Sequence, residues 1–589
     1  MLDSVTILMR CLSVVFTLTI AQGILRAQTP LTCVVTAVPP LVRAEGVAEL
    51  VGDLVVKCTG GTPTSPGATV PQVNLQIFLN TRITSRLLND PFSEALLFVD
   101  DPPPPVQRVC TPGPCSVQGI GGTGIPYTQP SPSNIPNIFQ GRQVGTNALL
   151  WAGVPIDPPG TDQTRTIRIT NVRANASQLG ASATLIPTQI SMFVSATPGS
   201  FLVLTNPQQT VGFVQSGLDV SVRDVDVNQN VLGAFGSSGV SLQNCAFASR
   251  QVILRYQERF AKAFKIRALT NGPVDGSSTP PDPLAQPIPG VNSSTETGFF
   301  NPALPPANGI NQAGLATQGT RLIARFTNIP DGVSVFVGFG DLTGTKAKLV
   351  ATDANGGGPF SVATDSPQAQ NGVVTAVWEV ISADPLAIDT IDFLVTILYG
   401  PTSGSGTGSV TAGFAPVTTI IVASSSAQVP RFQEGSARAL FNTSDCRFSI
   451  LFPFVTNQAG FDSGIAISNT SLDPFGTFPQ QGICTLNYYG TTAGGGAAPG
   501  PQKSQPIPPG EQLAFSLSGG GSRGIGATPG FQGYIIATCS FPYAHGFAFV
   551  SDLGARSLAQ GYLGIVMDGQ LLDADGLTRT KLRSEVLKH

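Results

Sequence analysis

Apolar residues at every second position recur along this chain, and they constrain its fold more than any other feature. Such runs cover residues 73–77, 218–222 and 391–397. Successive side chains of a β-strand point to opposite faces, so this period indicates strands with one buried face. Gly, Pro, Ser and Thr clusters separate the runs roughly every ten residues, which is typical of β-sandwiches and barrels.

The composition agrees with an all-β chain. Gly (66) and Pro (49) together make up about one fifth of the residues, against roughly 12% in an average protein. Charged residues account for only 11% and hydrophobic residues for 41%, so the chain can form cores. We therefore expect tandem immunoglobulin-like or similar antiparallel β-sandwich domains. The net charge of −3 offers no basic surface for nucleic acid.

Stretches rich in Pro and Gly divide the sequence into consecutive domains. The longest such stretch covers residues 271–306, and its composition is typical of a linker. We expect a signal peptide at 1–27, an N-terminal β-domain at 28–130, a β-sandwich at 131–248, a helix and linker at 249–312, a second β-sandwich at 313–430, an aromatic-rich β-domain at 431–570 and a tail at 571–589.

The N-terminus has the pattern of a signal peptide. Arg10 precedes an apolar run at residues 11–25, and Ala27 follows that run. A positive residue, a short apolar core and a small residue at the exit are typical of secretory signals. We expect cleavage after Ala27 and no transmembrane segment in the mature chain. The expected location is secreted: extracellular, at the cell surface, or periplasmic.

Eight cysteines follow the predicted signal peptide, and an even number in an exported chain predicts four disulfides. Eight cysteines allow 105 pairings. Position in adjacent strand-like runs favours Cys484 with Cys539, and closeness in sequence favours two more pairs, which leaves the fourth by elimination. The predicted pairs are Cys33 with Cys58, Cys110 with Cys115, Cys245 with Cys446 and Cys484 with Cys539.

One segment departs from the β pattern. Residues 251–267 place Ile253, Tyr256, Phe260 and Phe264 at spacings of 3, 4 and 4, which predicts one apolar stripe of an amphipathic helix. The opposite face is basic, so such a helix could lie on an anionic membrane. We favour a helix that packs its stripe on a sheet, because apolar stripes usually belong to cores.

Two catalytic patterns occur near the C-terminus. Gly520, Ser522 and Gly524 match G-x-S-x-G, but that motif needs a helix after the serine, and a second strand follows instead. His545, Phe547 and Phe549 are two residues apart, so a strand would place all three on one face. We interpret Ser522 as part of a hairpin loop and His545 as structural, and we expect no catalytic residue.

Four oxygen-bearing side chains alternate at Asp224, Asp226, Asn228 and Asn230. Calcium takes six to eight oxygen ligands, so these residues are the only metal site that the sequence offers. A polar strand face that leads into a turn explains the same pattern, since alternate side chains of a flat strand do not converge. No other cofactor is expected.

The sequence favours a non-enzymatic, extracellular structural, adhesive or matrix-type binding protein. Its expected partners are extracellular protein or glycan surfaces, with self-association as a further option. Aromatic residues concentrated at 446–566 keep a carbohydrate-binding protein open as the first alternative. An extracellular hydrolase that uses paired carboxylates is the second.

Three stretches resemble segments of large, uncharacterised secreted bacterial β-rich proteins. They cover residues 33–61, 452–470 and 533–552. The resemblance implies an extracellular bacterial setting and assigns no activity and no site residue.

Overall fold

The computed structural model describes residues 30–110, 115–129, 135–183, 186–226, 228–270, 282, 294–370 and 372–567. The predicted signal peptide and C-terminal tail lie outside these residues. The chain forms two compact units. Unit 1 comprises Met1–Gly217, Phe260–Thr320 and Pro416–Gln433, and unit 2 comprises Leu218–Arg259, Arg321–Ala415 and Glu434–His589. Helix in the described residues is limited to three short 3₁₀ segments, Pro104–Val106, Ala176–Gln178 and Ala307–Gln312.

The described residues of unit 1 form the first fourteen strands. They are β1 Leu31–Ala37, β2 Leu41–Arg43, β3 Glu49–Leu50, β4 Leu54–Gly60, β5 Gln72–Leu79, β6 Leu87–Asn89, β7 Phe92–Val99, β8 Ile138–Gly145, β9 Ala148–Pro155, β10 Gly160–Thr170, β11 Arg173–Ala174, β12 Thr188–Thr197, β13 Leu202–Thr205 and β14 Gln208–Gln215.

Twelve of these strands form one sheet that curls around a core. The order is β13-β1-β4-β10-β7-β8-β9-β5-β12-β14-β2, with β6 beside β7, while β3 and β11 pair separately. Buried side chains from both ends of this order belong to one hydrophobic cluster. The backbone N–H of Gly52, just before β4, donates to the carbonyl of Val211 in β14 at 2.8 Å. Regions far apart in the strand order therefore meet. The strand pairs are antiparallel, apart from the parallel pairs β1–β13 and β2–β14.

Unit 2 contains the remaining strands. They are β15 Leu218–Val225, β16 Val231–Ala234, β17 Val240–Asn244, β18 Ala248–Glu258, β19 Arg321–Thr327, β20 Ser334–Val337, β21 Ala347–Leu349, β22 Val374–Val380, β23 Thr390–Tyr399, β24 Gly406–Ala415, β25 Ala437–Asp445, β26 Phe448–Thr456, β27 Asp462–Asn469, β28 Cys484–Thr492, β29 Gly496–Ala497, β30 Gln502–Lys503, β31 Gln512–Ser516, β32 Gly520–Gly521, β33 Gln532–Cys539, β34 Ala544–Ser551, β35 Ala559–Leu563 and β36 Ile565–Met567.

Unit 2 holds two sandwiches, which confirms the predicted β-sandwich class. The first packs sheet β16-β15-β18-β23-β20 against sheet β17-β25-β24-β19-β22-β21. Trp378 of β22 stacks on Phe393 of β23 with ring centroids 4.0 Å apart. The second, the C-terminal sandwich of residues 448–567, packs sheet β29-β28-β33-β26-β36, with β30 beside β28, against sheet β32-β31-β27-β34-β35. One hydrophobic cluster lies between these two sheets.

The structure joins all eight cysteines after the predicted signal peptide in the four expected pairs. The disulfides are Cys33–Cys58, Cys110–Cys115, Cys245–Cys446 and Cys484–Cys539. Cys484 and Cys539 are directly opposite on β28 and β33. Cys245 and Cys446 each follow one strand of the parallel pair β17–β25, so strand pairing brings even this distant pair together.

The predicted helix at residues 251–267 is wrong. Residues 248–258 form β18, a central strand that pairs with β15 on one side and β23 on the other. Ile253 and Tyr256 are buried in unit 2, whereas Phe260 and Phe264 are buried in unit 1. The helical spacing therefore joined side chains that belong to two different units. Short apolar runs fit either period, and the two neighbouring strands decide between them.

The compact units also differ from the consecutive domains expected from the sequence. Strands on both sides of residue 130 share the large sheet of unit 1, because β10 lies between β4 and β7. The described part of the expected linker is packed: Phe299 and Ile310 lie against Phe98 of β7 in a second cluster. In the described residues, no helix has both the length and the apolarity that a membrane crossing requires.

Candidate binding surfaces

Ser522 and His545 lie on different strands of one sheet. Ser522 follows β32 and His545 belongs to β34, with β31 and β27 between them. Three strand spacings of about 4.8 Å separate the two side chains by about 14 Å, which is beyond hydrogen-bond reach. The Nδ1 atom of His545 instead lies 3.1 Å from the hydroxyl of Thr470 and 3.1 Å from the carbonyl of Tyr543.

The predicted calcium ligands lie where β15 turns into β16: Asp224 is in β15, and Asp226, Asn228 and Asn230 are in the loop that follows. Asp226 accepts hydrogen bonds from the backbone N–H groups of Asn228 at 2.9 Å and Asn230 at 2.8 Å. The Asn230 side chain also donates to Asp226, and this bond is the main reason that the pKa of Asp226 lies below its ordinary value. Asp224 accepts from Arg250 at 2.6 Å. These bonds form a turn, and the calcium site stays a prediction.

The hydrolase alternative requires two carboxylates that face each other across a cleft. A cavity of about 560 Å³ in unit 2 is lined by Asp353 and Asp365. The Asp353 carboxylate accepts backbone N–H groups from Asn355 at 2.8 Å and Gly357 at 2.9 Å. Asp353 thus stabilises its own turn, as Asx residues commonly do.

A row of exposed aromatic rings lies on the outer face of β34. Ala544, Gly546 and Ala548 face the core, and the alternate residues face outward. Phe547 is 43% exposed and Phe549 is 44% exposed. The strand period therefore places two large apolar rings in solvent on one sheet face. The sequence predicted that Phe547 and Phe549 share a face with His545, but not that this face is exposed.

Apolar residues of the neighbouring strands lie beside these rings. Phe547 is opposite Ala466 of β27 and Leu563 of β35, and Phe549 is opposite Gly464 of β27. A Cβ atom at Gly561 would lie only 2.4 Å from the tip of the Phe547 ring, so the ring lies directly over this glycine. We call the surface formed by these residues the phenylalanine face; it is flat and apolar.

The opposite sheet of the C-terminal sandwich has its own exposed aromatic pair. Tyr489 of β28 and Tyr534 of β33 are directly opposite. Their rings stack with centroids 4.9 Å apart and an interplanar angle of 14°. Both are exposed to about the same degree as the two phenylalanines. We call this the tyrosine pair. The sequence indicated aromatic residues in this region but not which of them face outward.

A network of charged side chains is fully buried in unit 1. Arg43 forms ion pairs with Glu49 at 2.7 Å and with Glu296 at 2.8 Å. Arg173 pairs with Glu94 at 3.2 Å. Burial alone would raise the pKa of Glu296, but the positive charges of Arg43 and Lys265 hold it below its ordinary value. All these groups are closed off from solvent, so the network stabilises the fold and presents no surface to a ligand.

Comparisons with known proteins give no family assignment. No protein-family model and no curated protein matches the chain. Among solved structures, it is similar to the C-terminal domain of the Streptococcus agalactiae AgI/II polypeptide BspA at 8% identity, over 70% of this chain and 100% of that one, with a TM-score of 0.25. It is also similar to the major pilin SpaD of Corynebacterium diphtheriae at 6% identity, over 87% and 88% of the two chains, with a TM-score of 0.19. We infer nothing about this chain from TM-scores this low.

Proposed function

We propose that this chain is an exported, extracellular binding protein without enzymatic activity, and that it attaches to partners through the phenylalanine face. The exposure of Phe547 and Phe549 on a flat sheet face carries the proposal. Contiguous apolar patches on folded proteins mark interaction sites. The four disulfides support an oxidising, extracellular location.

Removal of both rings tests this function. Burial of one Phe side chain contributes about 1.5–3 kcal/mol, so F547A/F549A is expected to weaken attachment at least about a hundredfold. Retention of the full chain is measured on gelatin-coated plates and on insoluble cellulose, and self-association is measured by sedimentation velocity. F475A is the matched control, because Phe475 is 89% exposed but lies in a loop outside the face.

Attachment that is equal in F547A/F549A and in F475A would contradict the proposal. The proposal would also be contradicted if the native chain bound neither surface and did not self-associate. The near-UV circular dichroism of both variants should match that of the native chain, since the removed rings are not part of the core.

The tyrosine pair supports carbohydrate binding as the second candidate function. Exposed aromatic rings pack against the apolar faces of sugars, and the tyrosine hydroxyl adds a polar contact. In the same assay, loss of retention on cellulose in Y534A, with retention kept in F547A/F549A, would favour this candidate over the first.

A further inference from the structure

A cavity of about 370 Å³ lies on the outer side of the large sheet of unit 1. It spans the adjacent strands β7, β8, β9 and β5. The middle strand β9 contributes the small residues Ala152 and Gly153 beside Trp151. Gly153 has a φ of 64° and donates its N–H to the side chain of Asn74 at 2.8 Å. Small residues between strands with longer side chains create the depression.

The lining of this cavity is partly aromatic. Trp151 and Phe139 are buried and Phe92 is half-buried. Within the described residues, the indole N–H of Trp151 is buried and has no hydrogen-bond partner. A Cβ atom at Gly141 would lie 3.0 Å from the Trp151 ring, so the glycine lets the ring pack closely against β8. Trp151 and Phe139 belong to the hydrophobic core of unit 1, so half-buried Phe92 is the aromatic ring that the cavity offers to a ligand.

The remaining lining is polar and only partly used by the protein. Gln72 donates to the Cys115 carbonyl at 3.2 Å and Gln140 to the Ser93 carbonyl at 3.0 Å, which leaves their amide oxygens available. Arg142 is exposed, and its guanidinium lies 5.7 Å from the Phe92 ring. Among the described residues, the Arg142 side chain has no hydrogen-bond or ion-pair partner. Its two parallel N–H groups suit the two oxygens of a carboxylate.

We propose that this cavity binds a carboxylate-bearing sugar, a uronic acid unit of an extracellular polysaccharide. Arg142 pairs with the carboxylate, Gln72, Asn74 and Gln140 hydrogen-bond the ring hydroxyls, and Phe92 packs against the apolar face of the ring. The volume lies at the lower end of the range for small-molecule sites and suits a short ligand. A peptide C-terminus shares the carboxylate but has no ring hydroxyls for the three amides. The proposal is independent of the phenylalanine face.

Glucuronic acid and glucose are the probes, titrated into the full chain while tryptophan fluorescence is recorded. The chain has two tryptophans, and Trp378 is buried in unit 2 against Phe393. A sugar-dependent change therefore reports Trp151. We expect saturable binding of glucuronic acid, and affinity at least about tenfold weaker for glucose, because a hydrogen-bonded charge pair is lost.

R142Q is expected to lower the affinity for glucuronic acid at least about tenfold, as the loss of the carboxylate does. R142K should restore part of this affinity. R447Q is the matched control, since Arg447 is also exposed but belongs to unit 2. F547A/F549A should bind glucuronic acid like the native chain, which separates this site from the proposed attachment surface. Equal affinity for glucose and glucuronic acid, or an unchanged affinity in R142Q, would overturn the proposal. Tighter binding of N-acetylglycine than of glucuronic acid would assign the cavity to peptide carboxylates instead.

Discussion

Arg43 joins three separate stretches of unit 1. It lies at the end of β2 and donates to Glu296 at 2.8 Å and to the Ala263 carbonyl at 3.0 Å, both in residues 260–320. Its guanidinium also lies 4.6 Å from the ring of Phe432, in residues 416–433. One side chain thus connects parts of the chain that are hundreds of residues apart, and the low dielectric around it makes each contact sensitive to change.

E296Q is expected to destabilise the protein by about 3–5 kcal/mol, because it removes one of the two carboxylates that pair with Arg43 and leaves the positive charges of Arg43 and Lys265 only partly compensated in a buried site. The pKa of Glu296 is lowered in the folded state. Its contribution to the free energy of unfolding is therefore fully present above the ordinary Glu pKa, and it is lost as the pH falls through the lowered pKa. Urea unfolding at neutral and acidic pH measures both effects, and the pH dependence should be weaker in E296Q.

E434Q is the control for this prediction. Glu434 pairs with Arg325, but its side chain is 54% exposed, and exposed ion pairs contribute less than about 1 kcal/mol. Similar losses of stability in E296Q and E434Q would show that the buried network does not stabilise unit 1.

The sequence carried only a weak signal for this network. Glu49 interrupts an apolar run and Glu94 directly precedes one, and an acid at such a position needs a partner when it is buried. The partner Glu296 lies in a segment whose composition indicated a linker. Local patterns could not join these residues, because the ion pairs span up to 253 positions of the chain.

At the level of single elements, the strands with one buried face were predictable and the central strand β18 was not. The runs in β5, β15 and β23 alternate because their outer faces meet water or polar groups. Three consecutive residues of β18, Val252, Ile253 and Leu254, are buried. A strand buried on both faces loses the alternation that distinguishes it from a helix.

The disulfide Cys484–Cys539, between β28 and β33, is expected to stabilise the folded protein more than the disulfide Cys110–Cys115, which closes a much shorter loop. Cys484 and Cys539 are 55 residues apart, whereas Cys110 and Cys115 are five apart. Chain entropy gives about 4 kcal/mol for the longer loop and about 2 kcal/mol for the shorter one. The shift in urea midpoint of C484A/C539A should therefore exceed that of C110A/C115A, and the opposite order would contradict this account.

Considered as a whole molecule, the chain alternates between its two units. It leaves unit 1 after Gly217, returns for residues 260–320 and returns again for residues 416–433. Consecutive domains were expected because composition reports only where turns and loops are frequent. Which segments return to an earlier core depends on contacts such as those of Arg43, and no local pattern contains that information.

This alternation predicts which fragments fold. A fragment of residues 28–217 contains the fourteen strands that the structure describes in unit 1, but it lacks Glu296 and the segment that packs on the outer face of β7. Arg43 and Phe98 would lose buried partners, so we expect no cooperative unfolding transition. A fragment of residues 447–567 contains every strand of the C-terminal sandwich together with the disulfide Cys484–Cys539.

The second fragment is therefore the matched control and is expected to fold alone. Both fragments are exported to an oxidising compartment, purified, and unfolded in urea while near-UV circular dichroism is recorded. A single sharp transition is expected for residues 447–567 and a featureless signal for residues 28–217. A cooperative transition in the longer fragment would show that its sheet and core are sufficient, and that the returning segments, with Arg43 and its partners, add little to the stability of unit 1.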